Sequence, residues 1–94
     1  MSIEQRVCRQ VVVINRLGLH ARAATRLTQL ATTFDAQIEL QLEQQQANAN
    51  SILGILMLQG CQGKEITVCS YGPDALAALD AICELFASRF DEDE

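Results

Sequence analysis

The chain has 94 residues, which sets a single domain, and its 49% hydrophobic content supplies one aliphatic core. The net charge is −5, and the last four residues, Asp91 to Glu94, are all acidic, so the rest of the chain carries only −1. This balance excludes a basic footprint for nucleic acid, the scarcity of aromatic side chains excludes a base-stacking platform, and no apolar run is long enough to span a membrane.

Arg6 to Ile14 reads as the first strand, rich in valine and isoleucine. Its inward face is ambiguous, because Val11 and Val13 compete with Val12 and Ile14. His20 to Thr33 reads as a helix with Ala24, Leu27, Leu30, Ala31 and Phe34 on one stripe and Arg22, Arg26 and Gln29 outside. Gln37 to Glu43 alternates, with Ile38, Leu40 and Leu42 facing inward, which predicts a half-buried strand with one wet face. Gln44 to Gln46 reads as a polar hairpin connection into a short strand. Ser51 is a good N-cap and Gly60 a good stop for a short helix between them. Ile52, Ile55 and Leu58 are expected to face the core, and Leu53, Leu56 and Met57 to point partly outward. Glu65 to Tyr71 is the last strand, with Gly72-Pro73 as a turn. Asp74 is expected to cap a final helix, Ala75 to Phe90, with the stripe Ala75, Leu76, Leu79, Ile82, Cys83 and Phe86. Together these elements predict an α+β open-faced sandwich: a four-stranded, mostly antiparallel sheet with three helices on one face.

The four cysteines, Cys8, Cys61, Cys69 and Cys83, show no C-x-x-C spacing, and the single histidine is distant from them in sequence. They are expected to be free, small and buried in a reducing compartment. No metal and no cofactor is expected. The N-terminus lacks the apolar core of a signal peptide, so the expected location is the cytoplasm. Residues 91–94 are expected to form a frayed acidic end of the single domain, 1–94.

His20 is the only histidine, and it falls between a β-branched strand and an alanine-rich helix. Such a turn places the imidazole at a helix N-terminus, where unpaired N–H groups and the positive pole of the helix favour an anion. A neutral imidazole is a good nucleophile near neutral pH. With Arg22 two residues on, the pattern suits a nucleophile that takes a phosphoryl group and an arginine that stabilises its oxygens. Arg16 is a candidate for a supporting role, and a solvated loop charge is the blander reading. The blander reading of His20 is a turn histidine that only caps the helix.

The run Asn15, Leu17, Gly18, Leu19, His20, Ala21, Arg22 and Ala24 resembles the active-site motif of the HPr family, histidine-containing phosphocarriers of the bacterial phosphoenolpyruvate-dependent phosphotransferase system. Asn50 to Leu58 is similar to the family's serine-led short helix. Lys64-Glu65-Ile66 and the final helix extend the likeness over nearly the whole chain. Asn50-Ser51, Leu56-Met57-Leu58 and Phe90 to Asp93 resemble the nitrogen-related branch, NPr. Ala23 departs from the proline that many members carry after the arginine.

The resemblance implies that His20 is phosphorylated on Nδ1 by phosphorylated enzyme I and passes the group to a IIA-type acceptor. It implies a carrier rather than an enzyme, monomeric, with no nucleic-acid or membrane partner. It also implies that Ile52, Leu53, Leu56 and Met57 form the partner-docking surface beside His20. Ser51 is read as the N-cap of the short helix, with regulatory phosphorylation as the alternative. The alternative functions are a sugar-branch HPr and a regulatory protein of the same fold that binds partners without relaying phosphate. A small enzyme lacks an acid–base pair near His20, and an RNA-binding sandwich conflicts with the charge and the missing sheet aromatics.

Overall fold

The structure, a computed structural model, describes residues 6–94. Four strands form one sheet: β1 (Arg6–Val12), β2 (Gln37–Leu42), β3 (Gln45–Asn48) and β4 (Glu65–Tyr71). Their order is β1-β4-β2-β3, and every neighbouring pair is antiparallel. Three helices, α1 (Ala21–Ala31), α2 (Ile52–Met57) and α3 (Ala75–Ala87), cover one face, so the fold is an α+β open-faced sandwich.

The alternation of side chains along each strand decides which ones meet the helices. In β1 the ambiguity resolves in favour of the odd-numbered valines. Val7, Val11 and Val13 pack toward the core, while Val12 and Ile14 are exposed. Ile38, Leu40 and Leu42 of β2 and Ile66 and Val68 of β4 complete that face. A two-residue turn, Glu43-Gln44, joins β2 to β3, with Glu43 in the left-handed region at φ 57°. Gln45 and Gln46, expected in the connection, therefore belong to β3.

On the open face Cys8 lies directly opposite Cys69 across β1 and β4, and the two form a disulfide. This corrects the expectation of four free buried cysteines. Spacing along the chain gives no sign of the pair, because the contact is made by strand register across 61 residues. Cys61 is free and exposed, and Cys83 is free and half-buried.

α1 buries Ala23, Ala24, Leu27 and Ala31, and small residues there let it lie close to its neighbours. α3 buries Ala75, Ala78, Leu79, Ile82 and Phe86. Leu76, expected in that stripe, is 53% exposed. It sits about 100° around the helix from Ala75, outside the buried arc. Asp74 begins α3 without capping it through its side chain. Its carboxylate instead accepts the Asp35 N–H at 2.8 Å and ties together the loops before β2 and α3. In α2, Ile55 is buried with Leu58 just past the helix end, and Leu56 is half-buried against the core. Ile52, expected inward, is 38% exposed, because a six-residue helix seats only its central residue fully.

α3 stops at Ala87 rather than Phe90. Arg89, Phe90 and Asp91 then form a single 3₁₀ turn in which all three φ values are positive (59°, 53° and 60°). Left-handed backbone costs roughly 1–2 kcal/mol per non-glycine residue. Burial of Phe90, packed edge-on against Phe86 with ring centroids 4.9 Å apart, helps to offset it. The turn reverses the chain and sends residues 91–94 back toward the start of α1.

Candidate functional site

The loop between β1 and α1 is built around Asn15 and Gly18. Asn15 is fully buried and donates through Nδ2 to the Gly18 carbonyl at 2.8 Å. Gly18 adopts φ +67°, and a Cβ there would stand 2.5 Å from the Gly60 carbonyl oxygen. The Leu19 N–H donates to that same oxygen at 2.9 Å, so the loop is tied to the segment that follows α2.

His20 is the N-cap residue of α1. Its Nδ1 accepts the Arg22 backbone N–H at 3.3 Å, which satisfies one of the orphan donors at the helix start. The Arg22 guanidinium is exposed and makes no ion pair with any described residue. It lines an open groove of about 400 Å³ together with Arg16, Leu17, His20 and Asp91 to Glu94. The ring of His20, the Arg22 N–H at the start of α1 and a guanidinium without an ion pair among the described residues thus share one recess, an arrangement chemically suited to an anion.

The acidic tail, expected to be a frayed end, is folded onto this recess. Glu92 Oε2 lies 2.5 Å from His20 Nε2, and its Oε1 accepts from Asn15 Nδ2 at 3.0 Å. Asp91 pairs with Arg26, and Glu94 pairs with Arg16 at 2.7 Å. The Arg16 N–H also donates to the Glu94 carbonyl. Burial alone would push the Glu92 carboxyl up. Hydrogen bonds from Asn15 and His20 and the nearby Arg22 charge outweigh that effect and hold it below the ordinary carboxylate value.

In the sequence Glu92 stands out only as part of the Phe90 to Asp93 run and Asn15 only as part of the histidine motif. The available signal was charge complementarity. Three of the chain's seven basic residues, Arg16, Arg22 and Arg26, cluster around the single histidine, and four carboxylates end the sequence.

Ser51 precedes α2, and its Oγ accepts the Gly54 N–H at 2.9 Å. On the outer side of α2, Leu53 is 68% and Met57 65% exposed, beside the partly exposed Ile52. Leu56 contributes less of this surface, since it packs against the core. Leu17, in the His20 loop, is 67% exposed and adds an apolar residue that the sequence reading did not place on a docking face. α2 packs on α1, and the Leu19–Gly60 hydrogen bond joins the loops that flank them. His20 and the apolar patch therefore belong to neighbouring elements.

An open-faced sandwich with one histidine at a helix N-terminus, an arginine beside it and an apolar short helix next door defines the class of small histidine phosphocarrier domains. The family model described as the PTS HPr component phosphorylation site matches residues 7–88. The chain belongs to the HPr family. It is 55% identical to the phosphocarrier protein NPr of Shewanella violacea over 84 residues, covering 89% of this chain and 92% of that one. It is 44% identical to the phosphocarrier protein HPr of Cupriavidus necator, covering 92% of this chain and 97% of the other. Among solved structures, HPr-C-His from Thermoanaerobacter tengcongensis superposes with a TM-score of 0.89 at 33% identity, over 94% of this chain and 99% of that one.

Proposed function

We propose that this chain carries a phosphoryl group on His20, taken from phosphorylated enzyme I and delivered to a IIA-type protein of the nitrogen-related phosphotransferase system. The observation that carries the reading is His20 Nδ1 at the N-terminus of α1, against the Arg22 N–H and beside a guanidinium that makes no ion pair among the described residues. The Nδ1 lone pair attacks phosphorus in line. The bond from phosphorus to the donor breaks, and its electron pair leaves with the donor. The Arg22 N–H then turns from Nδ1 to a phosphoryl oxygen, and the guanidinium neutralises charge on the others. A recess open to solvent, in which Arg22 is the one arginine without an ion pair among the described residues, holds the group loosely enough to pass it on.

The protein acts as a cytoplasmic monomer without a cofactor, and it turns over only with its partners. Ile52, Leu53 and Met57, with Leu56 at the margin, dock both enzyme I and the acceptor. Ser51 serves as the α2 cap. The 55% identity to a protein named NPr supports the nitrogen branch over the sugar branch, and Ala23 beside Arg22 is compatible with relay because it leaves the helix start intact.

The test is radiolabel transfer from phosphoenolpyruvate through purified nitrogen-branch and sugar-branch enzymes I, with wild type and His20→Ala in parallel. Acid-labile label on wild type alone is expected, faster with the nitrogen-branch enzyme. Absence of label with both enzymes would leave a regulatory binding protein that has kept the fold.

A further inference from the structure

We propose that Glu92 is a positioning residue for phosphoryl transfer at His20. Its carboxylate accepts the Nε2–H, keeps the lone pair on Nδ1, and faces the positive charge that the ring acquires when Nδ1 is phosphorylated. This rests on the reading of His20 as the phosphoryl acceptor.

The two ring nitrogens of His20 have opposite neighbours. Nε2 is 2.5 Å from an acceptor, Glu92 Oε2, while Nδ1 faces a donor, the Arg22 N–H. Only the neutral tautomer with its proton on Nε2 satisfies both. The carboxylate is itself held. Asn15 Nδ2 donates to its other oxygen and to the Gly18 carbonyl, so the contact closes back onto the loop that carries His20. Asn15 is fully buried, and this fixes the height of Glu92 above the loop.

The backbone leading to Glu92 is a second, independent observation. Three successive residues, Arg89 to Asp91, hold left-handed conformations. A free tail would relax out of them, and such strain persists only where surrounding contacts impose it. Those contacts are Phe90 in the core, Asp91 on Arg26 and Glu94 on Arg16, and they bracket Glu92 on both sides.

The chemistry follows from where charge develops. When Nδ1 bonds to phosphorus, the donor departs with the electron pair of the broken bond, and no proton leaves Nε2. The ring passes from neutral to positive. A carboxylate already in contact with Nε2 gains attraction at that moment without reorganising. It sits on the Nε2 edge, across the ring from the incoming anion, which Arg22 meets on the Nδ1 edge. When the acceptor takes the group, the ring returns to neutral with the same nitrogen protonated.

The experiment compares full-length wild type, Glu92→Ala and Glu92→Gln, each first shown by thermal melting to be folded at the assay temperature. Nitrogen-edited NMR is expected to show a downfield, exchange-protected Nε2–H proton in wild type. That signal is lost in the alanine variant and weakened in the glutamine variant, which keeps an acceptor and removes the charge. Single-turnover labelling at saturating phosphorylated enzyme I is expected to slow by about tenfold in Glu92→Ala, the scale of one hydrogen bond to a charged group, with Glu92→Gln between. The half-saturating concentration is expected to stay unchanged. Equal single-turnover rates for wild type and Glu92→Ala, or a ring proton unaffected by the substitution, overturn the role. No label on wild type fails the phosphocarrier reading itself, and this role with it.

Discussion

Two neighbouring regions of the molecule are built on opposite principles. The His20 recess is polar, crowded with charge and lined along one side by the returning tail: Glu92 on His20, Asp91 on Arg26, Glu94 on Arg16. The outer side of α2 is apolar and open, with no ionisable side chain in Ile52–Met57 and with Leu53 and Met57 mostly in solvent. On the proposed function, orientation and charge matter in the recess, because the reacting nitrogen must be aimed. On the same proposal, area matters on α2, because a transient partner must be gripped and released. The difference separates the rate of the chemical step from the affinity of the encounter, and substitutions can address the two independently.

The largest effect is expected where the regions join. Gly18→Ala places a methyl group 2.5 Å from the Gly60 carbonyl oxygen at a residue with φ +67°. Left-handed strain and overlap with backbone together predict a loss of roughly 2–4 kcal/mol. Urea unfolding would measure it, and labelling is expected to slow as well, because the loop carrying His20 and the segment after α2 move apart. A stability within about 0.5 kcal/mol of wild type would mean that the two regions are not rigidly coupled.

Leu53→Asp tests the apolar region alone. A charge in the centre of the proposed docking patch is expected to lower the efficiency of phosphoryl acceptance by about 30-fold, or ~2 kcal/mol. The whole loss should appear in the half-saturating concentration of enzyme I, with the His20 ring proton unmoved. Unchanged transfer kinetics would remove the docking role from α2. Ser51→Ala is milder. Losing the Oγ contact to the Gly54 N–H should cost about 1 kcal/mol of stability. Thermal melting checks that cost, and the rate at saturating enzyme I should not change.

The fold was largely legible in the sequence because binary patterning and turn residues agree. β2 alternates cleanly, α1 and α3 keep a helical period, and Gly18 and Gly72 sit where the chain turns at positive φ. The motif around His20 was also legible, because its parts are contiguous. What was not legible depends on register and on return paths. The Cys8–Cys69 pair arises from the alignment of β1 with β4, which local pattern does not encode. The tail looked frayed because four adjacent acids repel one another. Their partners, Arg16, Arg26, His20 and Asn15, come within reach only after α3 has crossed the core and Phe90 has anchored the reversal. Leu76 and Ile52 show a smaller failure of the same kind, since the apolar period marks more positions than two packed surfaces can cover.

Acid should distinguish the regions with the smallest perturbation. Glu92 is faced by Asn15, His20 and Arg22, with Asp91, Asp93, Glu94 and Arg16 around the same recess. Its carboxyl is held below the ordinary value in the folded chain, so the unfolded state binds more protons through that range. The stabilisation it contributes is therefore fully present above the ordinary carboxylate range, about 4.3 for glutamate. It is lost as pH falls through the depressed folded value, and mild acidification leaves the tail in place. Carbon-detected titration is expected to give Glu92 a lower midpoint in the folded protein than in a peptide of the tail sequence. His20→Ala should move that midpoint upward, because one of the hydrogen bonds favouring the charged form is gone. Leu53→Asp should leave it unchanged, since the apolar patch makes no contribution to the clamp. Coincident midpoints for protein and peptide would mean that Glu92 is not held at His20 in solution.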